Sequence, residues 1–88
     1  MKYRSRTDIT REILEAANGG ATKTRIMYMA FLSYAQLKEY LQILQFNDLL
    51  EYDSAHVQYK TTGKGIQFLR IYDSMTNLTG EMKEVQVR

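Results

Sequence analysis

Cysteine, proline and tryptophan are absent from this chain of 88 residues, and histidine occurs once. Without cysteine there are no disulfides and no thiolate ligands for a metal. A lone histidine does not supply the several imidazole or thiolate donors that zinc draws on, so neither a metal nor another cofactor is expected. The lack of proline leaves helices free to run on without interruption. No apolar run approaches membrane-spanning length, and Met1-Lys2-Tyr3-Arg4 carries no secretory pattern, so a cytoplasmic chain without a membrane partner is expected. Catalytic inventories fail as well. There is no cysteine, no histidine pair and no Walker-type phosphate loop, since Gly63-Lys64-Gly65 is too short a match. No spacing pairs two carboxylates in a cleft. The chain is expected not to be an enzyme, and no small-molecule ligand is expected.

What remains is a globular composition, 44% hydrophobic, with a net charge of only +2. A core built by so short a chain is marginal, and dimerisation would help to stabilise it. The charge is unevenly placed. Lys2, Arg4, Arg6, Arg11, Lys23 and Arg25 fall within the first 25 residues, against Asp8, Glu12 and Glu15. A basic N-terminal third can meet phosphates.

The clearest local signal is Ser33-Tyr34-Ala35-Gln36, a Ser-x-x-Gln capping box that opens a helix. Leu37, Tyr40, Leu41 and Leu44 line one face at helical spacing, leaving Ala35, Lys38, Glu39 and Gln42 on the other. Upstream, Thr7 is read as the N-cap of a helix whose stripe is Ile9, Ile13, Ala16 and Ala17. Asn18-Gly19-Gly20 ends it. A second helix is expected from Thr22 as cap through about Phe31, burying Ile26, Met29 and Ala30. Two short helices so tightly joined are expected to cross steeply. Downstream the period changes to two. Leu50 and Tyr52 alternate with Glu51 and Asp53, and Val57 and Tyr59 alternate with Gln58 and Lys60, around the turn Asp53-Ser54-Ala55-His56. Tyr40, Tyr52 and Tyr59 fall on inward positions and are expected in the core, not on a base-stacking platform.

Thr62 then caps a last helix. Ile66, Leu69 and Tyr72 are placed to pack back on the domain. Phe68, Ile71, Met75, Leu78, Met82 and Val85 recur at three, four, three, four and three, the a/d pattern of a coiled-coil seam. Gly80 and its neighbours weaken the final turns. The expected architecture is mainly α with a small β hairpin: a winged helix-turn-helix domain over residues 1–62 and a C-terminal coiled-coil dimerisation helix over 63–88.

Leu-Ser-Tyr-x-Gln-Leu-x-x-Tyr-Leu in the third helix, Thr22-Lys23-Thr24-Arg25-Ile26-Met27-Tyr28 before it and Tyr59-Lys60-Thr61-Thr62-Gly63-Lys64-Gly65 after the hairpin also resemble a known group. These are the small archaeal winged-helix proteins typified by the ten-kilodalton DNA-binding protein of Sulfolobus. The resemblance runs from about Arg4 to Tyr72, with Asp48 standing at the usual corner glycine. It implies a winged-helix fold, a homodimer joined by an antiparallel coiled coil of the last helices, and DNA binding as a regulator or a nucleoid-associated protein.

In this frame the third helix lies in the major groove of double-stranded DNA, with Tyr34, Gln36, Lys38 and Gln42 as contact candidates. Glutamine can pair with adenine and lysine with guanine. Lys23 and Arg25, at the start of the second helix, suit a phosphate clamp, although Arg25 could instead pair with Glu12 or Glu15. His56, Gln58 and Lys60 lie on the wing. Lys2, Arg4 and Arg6 read as a basic arm. A protein-interaction module on the same scaffold is the alternative.

Overall fold

The computed structural model describes residues 4–86, with side chains as far as Leu78. Four helices and a two-stranded hairpin follow in the order α1 (Arg6–Ala16), α2 (Lys23–Met29), α3 (Tyr34–Phe46), β1 (Leu50–Asp53), β2 (Gln58–Thr61) and α4 (Gly63–Gln86). The strands are antiparallel and pair Leu50 with Thr61, Glu51 with Lys60, Tyr52 with Tyr59 and Asp53 with Gln58. Ala21 forms an isolated antiparallel bridge with Tyr59, through Ala21 N–H to Tyr59 O at 2.9 Å and Tyr59 N–H to Ala21 O at 2.8 Å. This bridge ties the α1–α2 connection to the hairpin.

The α3 signal is realised as read. Ser33 Oγ accepts from Gln36 N–H at 3.2 Å, and Ser33 N–H donates to Gln36 Oε1 at 3.0 Å. Leu37, Tyr40, Leu41 and Leu44 are buried. They meet Ile13, Leu14, Ala17, Ile26, Ala30 and Leu50 in one core between α1, α2, α3 and the hairpin. Burying a side chain of this size contributes about 1.5–3 kcal/mol, so a handful of them carries most of the stability of so small a domain.

Helix ends depart from the sequence reading in instructive ways. The N-cap of α1 is Ser5, not Thr7: Asp8 N–H donates to Ser5 Oγ and Ser5 N–H donates to Asp8 Oδ2. This pair satisfies two otherwise orphaned donors, which Thr7, with Thr10 three residues on, cannot do. The second helix stops at Met29, short of Phe31. Phe31 N–H bonds to Tyr28 O and Leu32 N–H to Met27 O, with Phe31 at φ 54°. That is a Schellman closure with phenylalanine in the left-handed position usually given to glycine. The end of α3 repeats it with Asp48 at φ 61°, with bonds from Asp48 N–H to Gln45 O and Leu49 N–H to Leu44 O. The buried side of α2 also differs from the expectation. Met27 packs against the core and Met29, expected inside, is exposed.

The hairpin corrects two further expectations. Val57 is not a strand residue; it sits in the wing turn at φ 52° and is exposed. Tyr52 is 47% exposed and lies outside the core, whereas Tyr40 is buried in the core and Tyr59 is partly buried against the core.

The junction between hairpin and α4 depends on one glycine. A Cβ at Gly65 would stand 2.5 Å from Leu49 O and 2.5 Å from Thr61 Cγ2, closer than any side chain tolerates. Thr62 caps the helix, accepting from Gly65 N–H at 3.1 Å, and its hydroxyl donates to Asp48 O. Lys64 Nζ donates to Asn47 O, closing the end of α3 from the first turn of α4. From there α4 runs 24 residues without a break through Gly80, about 36 Å at helical rise.

Candidate nucleic-acid interface

The outward face of α3 presents Tyr34, Ala35, Gln36, Lys38, Glu39 and Gln42, all exposed. Their exposure follows from the buried stripe on the opposite side of the same helix. Lys38 and Gln42 form no hydrogen bond or ion pair among the described residues. The side-chain oxygen of Gln36 is occupied by its capping role. Tyr34 is held from the side: Lys23 Nζ lies 5.4 Å from its ring centroid, linking the first residue of α2 to the first of α3. Arg25 is exposed. Neither Glu12 nor Glu15 pairs with it, because Arg4 takes the first and Arg11 the second.

On the wing, His56 Nδ1–H donates to Asp53 Oδ2 at 2.8 Å. That hydrogen bond, ahead of every other influence, lowers the Asp53 carboxyl below its ordinary value. Lys60 is exposed on β2 opposite Glu51. Gln58 turns the other way. A Cβ on Gly20 would meet Gln58 Oε1 at 2.4 Å, so this side chain folds over the Gly19–Gly20 turn. Gln58 thus belongs to the junction between α1, α2 and the hairpin, not to an outward wing face.

The proposed basic arm is not free from Arg4 onward. Arg4 pairs with Glu12 and also donates to Ala30 O and Phe31 O, at 2.7 and 3.1 Å. It closes the C-terminal end of α2 from across the fold. Arg6 is the first residue of α1, and its guanidinium lies 5.5 Å from the Tyr40 ring centroid. Lys2 lies outside the described residues.

Between the start of α2 and the wing opens a cleft of about 430 Å³ that the sequence reading missed. It is lined by Thr22, Lys23, Thr24, Tyr52, His56, Val57 and Tyr59. The Tyr52 and Tyr59 rings meet across the strands, tilted at 55° with centroids 5.0 Å apart. The available signal was the pair of tyrosines at alternating positions, which pointed inward on pattern alone.

On the opposite flank, Asp8 joins α1 to α4. The Tyr72 hydroxyl donates to Asp8 Oδ1, while Arg11 lies 5.8 Å from the Tyr72 ring centroid. The hydrogen bond from Tyr72, then that from Ser5 N–H, lowers the Asp8 carboxyl. The same Asp8 contact raises the Tyr72 phenol. Further along α4, Phe68 is half-buried against the core with its ring 6.3 Å from Tyr72, so it serves the domain itself instead of an outer seam. Ile71, Met75 and Leu78 are exposed at 61, 57 and 64%. Met82 and Val85 lie outside the residues whose side chains are described. Among the described residues no helix is long and apolar enough to cross a membrane, and no acidic or imidazole group of three is arranged to hold a metal.

Three helices packed on one core, a two-stranded wing and an exposed polar face on the third helix define a winged helix-turn-helix. The chain belongs to that family, whose model matches residues 3–80. Among solved structures it is similar to Sso10a-2, a DNA-binding protein from Sulfolobus solfataricus, at 20% identity and a TM-score of 0.69, with 97% of this chain and 99% of that chain covered. At this identity the likeness establishes a shared fold, in agreement with the Sulfolobus-type resemblance read from the sequence. Comparison with curated proteins gives no significant match.

Proposed function

We propose that this chain binds double-stranded DNA, with α3 in the major groove and acting as a homodimer joined through α4. One observation carries the reading: the polar face of α3 is exposed, Lys23 lies beside its first residue Tyr34, and Lys23, Arg25 and Lys60 form no ion pair with a carboxylate among the described residues. Exposed cations without carboxylate partners, on the elements that adjoin a polar helix face in sequence, suit phosphates on either side of a groove. The fold shared with a protein described as DNA-binding supports the same reading. In this proposal residues 1–62 form the DNA-binding domain and residues 63–88 the dimerisation helix. Lys38 and Gln42 read base edges; Lys23, Arg25 and Lys60 hold the backbone; Tyr34, Gln36 and His56 border the groove; and Ile71, Met75 and Leu78 form the described part of the dimer seam. The action is occupancy of a site by two linked heads, in transcriptional regulation or nucleoid organisation.

The exposed aromatics Tyr28 and Phe31 favour a second reading, in which the scaffold holds a protein. Gel-shift titration of random duplex DNA at several salt concentrations separates the two. Phosphate neutralisation gives a log–log salt slope of about −0.9 for each phosphate contacted. Absence of duplex binding at low salt would falsify the DNA reading and leave the protein module.

A further inference from the structure

We propose that the cleft between α2 and the wing seats an unpaired nucleotide of a DNA strand, its base stacked on Tyr52 and its phosphate beside Lys23. This rests on the DNA-binding reading above and extends it to a ligand that a paired duplex does not present.

The walls of the cleft are chemically one-sided. Thr22, Lys23 and Thr24 supply hydroxyls and a cation from α2; Tyr52, Tyr59, His56 and Val57 supply rings and an apolar rim from the wing. No carboxylate lines it. Two other charged hollows, one against α4 lined by Arg4, Asp8, Arg11, Glu12, Tyr72 and Asp73 and one on α1 lined by Arg11, Glu12 and Glu15 among others, set cations against carboxylates, so their charges answer one another. Of these three, only the wing cleft favours an anion.

Tyr52 is the key to the class of ligand. Its strand position calls for an inward ring, yet the side chain is 47% exposed. Tyr59, tied by its backbone to Ala21 and packed on the core, lines the same cleft with its ring centroid 5.0 Å from that of Tyr52. A half-exposed aromatic ring held against an anchored neighbour can stack on any base without reading its edges. The cation is held near the mouth by a ring as well, with Lys23 Nζ 5.4 Å from the Tyr34 ring centroid. Thr22 Oγ1 accepts from Arg25 N–H, so of the two threonines that line the cleft Thr24 is the one whose hydroxyl has no hydrogen bond among the described residues. The volume, about 430 Å³, lies toward the lower end of small-ligand clefts, about 300–1,000 Å³. Bases within a duplex are stacked on their neighbours and cannot enter such a slot, whereas a base at a bulge, flap or melted step can.

The test uses the full chain and an oligothymidylate of about eight nucleotides carrying a single 2-aminopurine, a length within the usual range of single-strand sites. Stacking on tyrosine quenches the probe. The expected result is quenching by the unaltered chain, binding about fivefold or more weaker for Tyr52→Val, and binding within about twofold for Tyr52→Phe, which keeps the ring. Binding of a fully paired duplex by Tyr52→Val stays within about twofold of the unaltered chain. If Tyr52→Val does not fold, the Tyr52 ring protons of the unaltered chain provide the readout, and an upfield shift on adding the oligonucleotide is required. A duplex that binds while the probe shows neither quenching nor a ring shift overturns this inference alone. Equal probe binding by Tyr52→Val and the unaltered chain also overturns it, as does about tenfold tighter binding of the matching ribo-oligonucleotide. If neither duplex nor probe binds at low salt, the DNA-binding reading falls with it.

Discussion

The two flanks of this small domain use their cations in opposite ways. On the α1 side, Arg4 is held by Glu12 and two carbonyls, Arg6 lies over Tyr40, and Arg11 pairs with Glu15 and lies over Tyr72. On the α2–α3–wing side, Lys23, Arg25, Lys38 and Lys60 have no carboxylate partner among the described residues. The sequence places three arginines in the first flank and makes it look the more basic. The fold reverses this: the flank with more arginine is nearly self-neutralised, and the other offers its charge to solvent. Availability of charge, not its count, decides where a polyanion can settle.

Four substitutions test that contrast. Arg4→Ala has the largest expected effect, and on stability. It strips two carbonyl partners from the end of α2 and leaves Glu12 unpaired, costing about 2 kcal/mol in urea denaturation. Duplex affinity stays unchanged once the variant is folded, and a large loss of affinity in a folded Arg4→Ala would break the division between flanks. Arg25→Ala is expected to do the converse. Its unfolding free energy stays within about 0.5 kcal/mol of the parent, while duplex binding weakens for all sequences alike and the salt slope falls by about one.

Tyr72→Phe comes next and is read in pH dependence. The Asp8 carboxyl is depressed below its ordinary 3.8, so the stability linked to it is present above that value and is lost as pH falls through the folded-state pKa. The Tyr72 phenol is raised above its ordinary 10.0, so its share is complete below pH 10 and is lost as pH rises through the elevated value. Removing the hydroxyl should flatten the stability profile at both ends, and a profile that keeps both slopes would sever the link between α1 and α4. Arg11→Ala is expected to matter least. Its i,i+4 ion pair with Glu15 is partly exposed, and the change in melting should correspond to less than about 0.5 kcal/mol.

Legibility in the sequence followed the range of the interaction. The Ser33–Gln36 box and the Leu37–Leu44 stripe are local and periodic, and both were readable. The Ser5–Asp8 box was equally present in the sequence, as a serine with an acid three residues later; Thr7 drew attention only because it stands nearer the apolar stripe. The phase of α2 was harder. In seven residues Met27 and Met29 stand on opposite sides of Ile26 and Ala30, and so short a helix does not show by its pattern which of the two sides is covered. Arg4 could not be placed by pattern at all, since Ala30 and Phe31 are far along the chain. Tyr52 misled because a two-stranded hairpin has too little sheet around it to bury every residue on one face. The candidate interface was therefore legible on α3 and at the start of α2, and largely illegible on the wing.

Gly65 has one more consequence. At this position the long helix comes against the Leu49 carbonyl and the Thr61 methyl with no room for a Cβ between them. The aim of the helix relative to the wing is therefore set at one point, where its first turn is also tied down by Thr62 and Lys64. A single added methyl group at that pivot would swing one part away from the other.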